Sequence, residues 1–325
     1  MPLTPPYDRS RLTPGIVHIG LGNFHRAHQA VYLDDLMRQG LAQDWAILGA
    51  GVREGDARMR ETLLAQDCLS SVIELAPGAH SARVIGAMTG FLPVQPGNAA
   101  LVAAMTDPAI RIVSLTVTEG GYFIDPATGR FDPAHPDVRH DGAQPQAPMT
   151  AFGAIVAALA ARRTAGVAPF TVMCCDNLPH NGGVTRDAVT GVARLSDPAL
   201  ADWIAGNVAF PNAMVDRITP ATGPRELAMA RAMGLDDAAP VTCEPFRQWV
   251  MEDSFPAGRP PLEKAGVTFT GAVDRFETMK IRILNGGHAI IAYPAGLAGI
   301  DLVHQAMADS RIRAFLDAVL TREVL

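Results

Sequence analysis

The sequence predicts an α/β protein in which a doubly wound, mostly parallel sheet precedes a mostly α-helical second domain. Two observations support this fold class. Apolar, β-branched runs alternate with stretches of helical spacing in the first part of the chain, an order typical of parallel sheets covered by helices. From about residue 197 onward, helical stretches separated by proline-containing segments replace that alternation. We therefore expect a first domain over residues 1–205 and a helical domain over residues 206–325.

The first domain opens in the order strand, helix, strand, helix. Residues 15–22 (GIVHIGLG) form an apolar run that ends in a glycine turn, and FHRAHQAVYLDDLMRQG follows with apolar residues at helical spacing. Residues 45–52 (WAILGAGV) predict a second strand, and GDARMRETLLAQ predicts a second helix. Since parallel neighbours need long crossover connections, this order implies a parallel sheet.

Later segments continue the pattern. Residues 70–92 predict a hairpin, and residues 111–119 (RIVSLTVTE) and 169–175 (PFTVMCC) predict buried strands, with a helix in MTAFGAIVAALAARR between them. We favour a doubly wound sheet, and a (β/α) barrel is the alternative. Beyond residue 197 the helical stretches are LADWIAGNV, PRELAMARAMGL and MKIRILNGGHAIIAYPAGLAG.

The composition favours a small molecule as the main partner. The 325 residues are 48% hydrophobic and carry a net charge of −6, which gives no broad basic surface for nucleic acid or an anionic membrane. No apolar run approaches the roughly 20 residues of a membrane span, and the N-terminus lacks the layout of a signal peptide. We therefore expect a cytoplasmic protein with reduced, largely structural cysteines at Cys68, Cys174, Cys175 and Cys243.

A glycine turn follows the first strand. Gly20 and Gly22 lie where this strand passes into a helix, and glycines there let the backbone approach a pyrophosphate that the helix N-terminus stabilises. His25 replaces the third glycine of the G-x-G-x-x-G pattern, which would hold the helix slightly farther from the strand. The turn predicts a dinucleotide site on a Rossmann-type domain, and an ordinary tight turn is the alternative.

The end of the second strand carries candidates for binding the adenosine ribose. Glu54 or Asp56 can accept hydrogen bonds from a ribose 2′-OH and would repel a 2′-phosphate, which favours NAD over NADP. Arg53 weakly favours NADP instead. Acids in the first turn of a helix are also explained by their favourable interaction with the helix dipole. We expect NAD as the cofactor, with NADP less favoured.

A polar face in the second domain predicts acid–base chemistry. In an α-helix, four side chains of FETMKIRILNGGHAIIAY would share an arc of roughly 140°: Glu277, Lys280, Asn285 and His288. A lysine can remove a hydroxyl proton as hydride leaves the same carbon if burial lowers its pKa, and an amide such as that of Asn285 suits the developing oxyanion. The alternatives are a lysine that extends along an apolar surface and a hydrogen-bonded core histidine.

Two further polar segments follow predicted strands at the carboxyl ends, where open α/β sheets bind ligands. In CDNLPHNG, Asn177 or Asn181 is a candidate second oxyanion donor, although an Asx-rich turn would use the same residues. In TEGGY, Thr118 and Glu119 are candidates for lining a nicotinamide pocket.

A metal site is not predicted. His25 and His28 are three residues apart, but no nearby carboxylate or cysteine completes a set of zinc ligands. The predicted chemistry therefore depends on Lys280 rather than on a metal.

The sequence resembles the mannitol dehydrogenase family of long-chain polyol and hexuronate dehydrogenases. The resemblance rests on stretches that keep one order over almost the whole chain: GIVHIGLGNFHRAHQAVYLDDL, TVTEGGYF, CDNLPHNGG, FPNAMVDRITP, PVTCEPFRQWVMED and KIRILNGGHAIIAY. The family's nucleotide turn has the form G-x-G-x-F-x-R-A-H. The resemblance therefore assigns Gly20, Gly22, Asn23 and Phe24 to the cofactor turn and accounts for His25.

The resemblance implies a metal-independent, NAD-dependent oxidoreductase that interconverts a hexitol and its 2-ketose. The alternatives are a hexuronate reductase acting on fructuronate or tagaturonate, and a non-catalytic dinucleotide-binding fragment. The resemblance further implies that Lys280 is the general acid/base and that His288 orients the substrate. It assigns stabilisation of the oxyanion to Asn181 and Asn285. Glu277 matches an acid associated with proton passage to the lysine.

Members of this family usually extend well beyond the point where this sequence stops. The last residues, SRIRAFLDAVLTREVL, predict an amphipathic helix without a C-terminal capping signal. From this we expect a chain truncated at the C-terminus that lacks part of the substrate pocket.

Overall fold

The computed structural model describes residues 4–76 and 78–324 of the chain. Its strands, in chain order, are β1 (Pro14–Ile19), β2 (Ala46–Ala50), β3 (Ser70–Ala76), β4 (Ala79–Ile85), β5 (Met88–Phe91), β6 (Ile112–Leu115), β7 (Ile124–Asp125), β8 (Arg130–Phe131), β9 (Thr171–Cys174), β10 (Ala213–Asp216), β11 (Val241–Cys243), β12 (Gln248–Met251) and β13 (Thr268–Phe269).

The α-helices, in chain order, are α1 (Asn23–Ala27), α2 (Gln29–Arg38), α3 (Asp56–Ala65), α4 (Ala99–Thr106), α5 (Pro136–Ala143), α6 (Ala151–Ala165), α7 (Asn181–Ser196), α8 (Pro198–Asn207), α9 (Pro224–Ala232), α10 (Val273–Met279), α11 (Gly286–Leu297), α12 (Val303–Ala308) and α13 (Ser310–Val319). Short 3₁₀ turns lie at Arg9–Arg11, Pro96–Asn98, Glu119–Tyr122 and Leu262–Ala265, and π-helical segments lie at Lys280–Asn285 and Leu320–Val324.

Five strands form a parallel sheet in the order β5-β2-β1-β6-β9. Strands are added on one side of β1 up to β5 and on the other side from β6 onward, which is the doubly wound order of a Rossmann-type fold. The predicted fold class is confirmed, and the barrel alternative is excluded. In such sheets the crevice outside the carboxyl ends of the two strands at the switch, here β1 and β6, is where ligands bind.

Both faces of this sheet are buried against helices and strands. Ile16 of β1 packs into a core cluster with Tyr32 of α2 and Trp249 of β12, whereas its neighbour Val17 packs into a second cluster with Phe152 of α6. Successive side chains of a strand point to opposite faces, so each strand of a doubly covered sheet must be apolar at almost every position. That requirement explains why these strands are visible in the sequence as continuous apolar runs.

The chain divides into two units later than the expected boundary between residues 205 and 206. The first unit comprises residues 1–271 and the second residues 272–325. Residues 206–271 are not mostly helical, because they include β10 to β13, and β11 pairs in parallel with β3 of the hairpin β3–β4. Val215, Trp249 and Met251 also lie in the same core cluster as Ile16 of β1. These strands have two to four residues each, too few to show a periodicity in the sequence.

The second unit is helical, as predicted. Its helices α11 to α13 enclose a small apolar cluster formed by Ile291, Ala295, Ala306, Ile312 and Leu316. Among the residues that the structure describes, no helix is both long and apolar enough to cross a membrane.

Candidate active site

The glycine turn after β1 is built so that only glycine fits at its first position. Gly20 has a φ of +99°, and a Cβ placed on it would lie 2.0 Å from the carbonyl oxygen of Thr116, just beyond β6. Its N–H donates to the carbonyl of Ala50 at 3.0 Å, and its own carbonyl accepts a hydrogen bond from the Thr116 hydroxyl at 2.5 Å. The turn is therefore fixed against the ends of both neighbouring strands, at the crevice between β1 and β6.

Gly22 has open space above it. No described atom lies within 4 Å of a Cβ placed there, and its N–H donates to the Gly20 carbonyl at 2.9 Å. A backbone without a side chain, at the carboxyl edge of a doubly wound sheet, is what a pyrophosphate needs for close approach. The turn therefore fits the phosphates of a dinucleotide.

The side chains of Asn23 and Phe24 serve to hold the turn in place. The Asn23 amide donates to the carbonyl of Pro220 and to the hydroxyl of Thr222, both at 2.9 Å, and its oxygen accepts from Arg26 at 2.8 Å. Phe24 stacks on His28 with ring centroids 4.8 Å apart. Both side chains thus help to fix the conformation of the turn.

His25, which stands in place of the third glycine, stacks its imidazole ring on another histidine. It is buried, and its ring stacks on that of His18 of β1 with centroids 3.5 Å apart. The His18 ring is held by the hydroxyls of Ser114 and Thr116 at 2.8 and 2.9 Å. Burial lowers the pKa of His18 to about 3 and that of His25 well below its ordinary value, so both rings are neutral at pH 7. The predicted single helix is also divided at His28, between α1 and α2.

Glu54 and Asp56, the two candidates for binding the ribose, differ in their surroundings. The carboxylate of Asp56 accepts the backbone N–H of Arg53 at 3.0 Å and lies against Gly51, where a Cβ would be 2.4 Å from its Oδ2. Glu54 is exposed in the turn between β2 and α3. Glu54 is thus the better placed of the two acids to meet a ligand.

Thr118 and Glu119 lie on the exposed segment that follows β6 at the carboxyl edge of the sheet. Thr118 has a φ of +66°, which is unusual for a side chain branched at Cβ. The N–H groups of Val117 and Thr118 donate to the carboxylate of Asp176 at 2.9 and 3.2 Å. Both predicted residues therefore lie in the same unit and at the same edge as the glycine turn.

Asn177 and Asn181 occupy different environments. The Asn181 side chain is fully buried, donates to the carbonyls of Asp176 and Ala213 at 3.1 and 2.7 Å, and accepts the N–H of Ala213 at 2.9 Å. Both amide hydrogens are thereby used in joining the end of β9 to β10. Asn177 lies three residues after the end of β9 and is exposed.

In the second unit, the predicted polar face lies on a helix whose middle turn is wider than an α-helix. Residues Lys280–Asn285 are π-helical, with α10 before them and α11 after them, and the Gly286 N–H donates to the carbonyl of Ile281 five residues earlier. The spacing of roughly 100° per residue, and with it the predicted arc, therefore fails in this segment. Because a π-helical turn contains more residues than an α-helical turn, residues five apart lie nearer in direction than the roughly 140° of an α-helix, which favours Lys280 and Asn285 facing one side.

The four side chains of this face differ in burial. Glu277 is buried, Lys280 and His288 are half-buried, and Asn285 is exposed. Single-turn π segments inside α-helices are uncommon and occur frequently at functional sites. The segment that carries Lys280 and Asn285 is such a segment.

Sequence reasoning missed the polar side chains that hold the backbone of the site. Asp176, His18 and Arg26 are buried or mostly buried and bond to the segments around the glycine turn and after β6. Two of them left a signal in the sequence. His18 interrupts an apolar strand, and Asp176 directly precedes Asn177 at a strand end.

Two family descriptions match the chain. The mannitol dehydrogenase Rossmann domain matches residues 14–264, and the mannitol dehydrogenase C-terminal domain matches residues 272–325. The second match begins at residue 272, which is also the first residue of the second structural unit.

Individual proteins are similar over almost the whole chain. Mannitol 2-dehydrogenase of Cereibacter sphaeroides is 68% identical over 321 residues, which cover 99% of this chain and 67% of that protein. The polyol:NADP oxidoreductase of Gluconobacter oxydans is 48% identical, with 99% of this chain and 67% of that protein covered.

A solved structure of Pseudomonas fluorescens mannitol 2-dehydrogenase, a ternary complex with NAD and D-mannitol, has a TM-score of 0.90 and 47% identity. The match covers 98% of this chain and 65% of that one. The chain thus spans about two thirds of the length of the proteins that it resembles.

Proposed function

The chain belongs to the mannitol dehydrogenase family, and we propose that it interconverts a hexitol and its 2-ketose by hydride transfer with NAD. The observation that carries the proposal is the 68% identity to a mannitol 2-dehydrogenase over nearly the whole chain. The named relatives act on polyols, which favours a hexitol over a hexuronate as the substrate.

NAD is the proposed cofactor, and when bound it supplies the acceptor for the substrate hydride. Gly20 and Gly22 would carry the pyrophosphate, since the turn has the conformation and the open space for it. Glu54 would accept the ribose hydroxyls, and Thr118 and Glu119 would line the nicotinamide half. Because one relative is named for NADP, the preference is tested by comparing kcat/KM with NAD and with NADP.

Lys280 is the proposed base. It takes the proton of the substrate hydroxyl while the carbon bearing that hydroxyl loses hydride, so a C–H and an O–H bond break and a ketone forms. The composition of the chain supports this role. Of 27 basic residues, 25 are arginines, and the only lysines are Lys264 and Lys280. Arginine supplies nearly all of the remaining positive charge of the chain, but it cannot give up its proton and so cannot replace a base.

Asn177 and Asn285 are the proposed donors to the substrate oxygen. We assign this role to Asn177 rather than to Asn181, because the Asn181 amide already donates both of its hydrogens to backbone carbonyls. The π-helical turn supports pairing Asn285 with Lys280, since residues five apart share one side of such a turn. His288 would orient the substrate, and Glu277 would pass the proton between Lys280 and water.

The proposal is tested by oxidation of NADH with fructose or with fructuronate as the second substrate. Turnover with fructose supports a polyol dehydrogenase, whereas turnover with fructuronate alone would transfer the assignment to a hexuronate reductase. Binding of NADH, followed by its fluorescence, without turnover of either would reduce the protein to a dinucleotide-binding module.

A cytoplasmic location stays a prediction. It is supported by the four cysteines, each of which is buried and free.

A further inference from the structure

Asp176 connects the ends of two neighbouring strands of the parallel sheet. Its carboxylate accepts the N–H of Val117 at 2.9 Å, the N–H of Thr118 at 3.2 Å and the hydroxyl of Tyr122 at 2.6 Å. The three donors belong to the segment after β6, whereas Asp176 follows β9. One side chain therefore holds together two segments at the carboxyl edge.

The backbone of this edge cannot make that connection by itself. The ladder between β6 and β9 ends with Leu115 opposite Cys174, and the Cys175 N–H still donates to the Leu115 carbonyl at 2.8 Å. Beyond that point the strands no longer pair, so the N–H groups of Val117 and Thr118 need other acceptors. A carboxylate with two acceptor oxygens satisfies both at once.

The connection also holds a strained conformation. Thr118 lies in a region with positive φ that costs on the order of 1–3 kcal/mol for a residue other than glycine. Such a residue persists only where its surroundings fix it, and here the bond from its N–H to Asp176 and the bond from the Gly121 N–H to its carbonyl do so.

We propose that Asp176 is a positioning residue for hydride transfer, which holds residues 117–119 at a fixed place relative to Asn177. This inference rests on the proposed function, in which residues 118 and 119 line the nicotinamide half and Asn177 donates to the substrate oxygen. Asp176 touches neither reactant. It acts by making the two segments that do so a single rigid edge.

Replacement of Asp176 by Asn tests the proposal. The variant keeps the shape of the side chain but turns one acceptor into a donor that faces an N–H group. We expect kcat to fall by about tenfold to a hundredfold, as for a misplaced reacting group. Binding of NADH should weaken, whereas binding of ADP-ribose, which lacks the nicotinamide, should stay within about twofold of the original protein because the glycine turn is unchanged.

Asp141→Asn is a matched control. The buried carboxylate of Asp141 likewise accepts two consecutive N–H groups and a hydroxyl, from Met149 and Thr150, at 2.7, 3.1 and 2.6 Å. None of these residues is assigned to the site. Both variants should lose thermal stability, but only Asp176→Asn should lose kcat and affinity for NADH.

Equal kinetic effects of the two variants, or an unchanged kcat in Asp176→Asn, would overturn the inference. If Asp176→Asn does not fold, Tyr122→Phe removes one of the three donors and should lower kcat by about threefold, with ADP-ribose binding unchanged. An unchanged kcat there would likewise overturn it. Absence of turnover in the unsubstituted protein would instead defeat the proposed function.

Discussion

Asn177 and Asn181 lie four residues apart in one segment, and the amide of Asn181 is fully used by hydrogen bonds to the backbone. The Asn181 amide donates to the carbonyl of Ala213 in β10 and accepts the N–H of the same residue. Its side chain is completely buried. A donor to a developing oxyanion must be able to point its hydrogen at the substrate. Both residues follow β9, as the sequence predicted, and the bonds of Asn181 give that residue a structural role.

Alanine substitutions should separate the two asparagines. Asn181→Ala leaves the N–H and carbonyl of Ala213 without partners in a buried site and should lower the free energy of unfolding by about 2–4 kcal/mol. Asn177→Ala should leave stability nearly unchanged and lower kcat about a hundredfold. Denaturant unfolding and steady-state kinetics measure the two effects. A stable Asn181→Ala variant with the greater loss of kcat would reverse the assignment.

Among the single elements, the turn after β1 contains two glycines with different structural requirements. Gly20 is required by the fold, because its φ is positive and the Thr116 carbonyl lies against it. Gly22 has an ordinary negative φ of −82° and open space above it, so the fold alone does not demand glycine there. We propose that close approach of the cofactor phosphates accounts for the glycine at this position.

The two positions therefore predict opposite results. Gly20→Ala should cost at least about 2 kcal/mol of stability, because it strains the turn and collides with a backbone carbonyl. Gly22→Ala should cost less than about 1 kcal/mol and weaken NADH binding about tenfold, which corresponds to about 1.4 kcal/mol. Thermal unfolding and fluorescence titration give both quantities. If Gly22→Ala bound NADH normally, the phosphates would not lie over this turn.

The sequence predicted elements that are long and regular and missed those that are short or irregular. The strands of the parallel sheet are buried on both faces, so their apolar runs are continuous and easily recognised. The strands of residues 206–271 are too short to show a period, which displaced the expected domain boundary. The π-helical turn at Lys280 could not be predicted, because one extra residue in a turn leaves no mark on local propensity.

At the scale of the whole molecule, the buried histidines beside the glycine turn make stability depend on pH. His18 stays neutral in the folded chain down to a pKa of about 3, because burial disfavours its charged form. In the unfolded chain a histidine binds a proton below about pH 6.5. Acid therefore favours the unfolded chain, and the stability due to neutral His18 is present above about pH 6.5 and lost as the pH falls toward 3.

Acidification from pH 7 to pH 5 should lower the free energy of unfolding by about 2 kcal/mol from His18 alone, and His25 shifts the balance in the same direction. Urea unfolding at several pH values measures this. The decline should be shallower in His18→Gln, which removes one titrating group, and unchanged in His80→Gln, whose histidine is exposed on β4. A decline of the same steepness in His18→Gln would show that other groups cause it.

Removal of the substrate proton by the amine of Lys280 is tested by comparing three variants. Lys280→Arg keeps the positive charge and Lys280→Ala removes it, but neither can act as a lysine base. Lys264→Ala removes the only other lysine, which is exposed.

We expect both Lys280 variants to bind NADH within about threefold of the original protein and to lose at least about a thousandfold in kcat. Added methylamine should restore part of the rate to Lys280→Ala, and Lys264→Ala should keep full activity. Turnover by Lys280→Arg or Lys280→Ala at a rate close to that of the original protein would contradict the account.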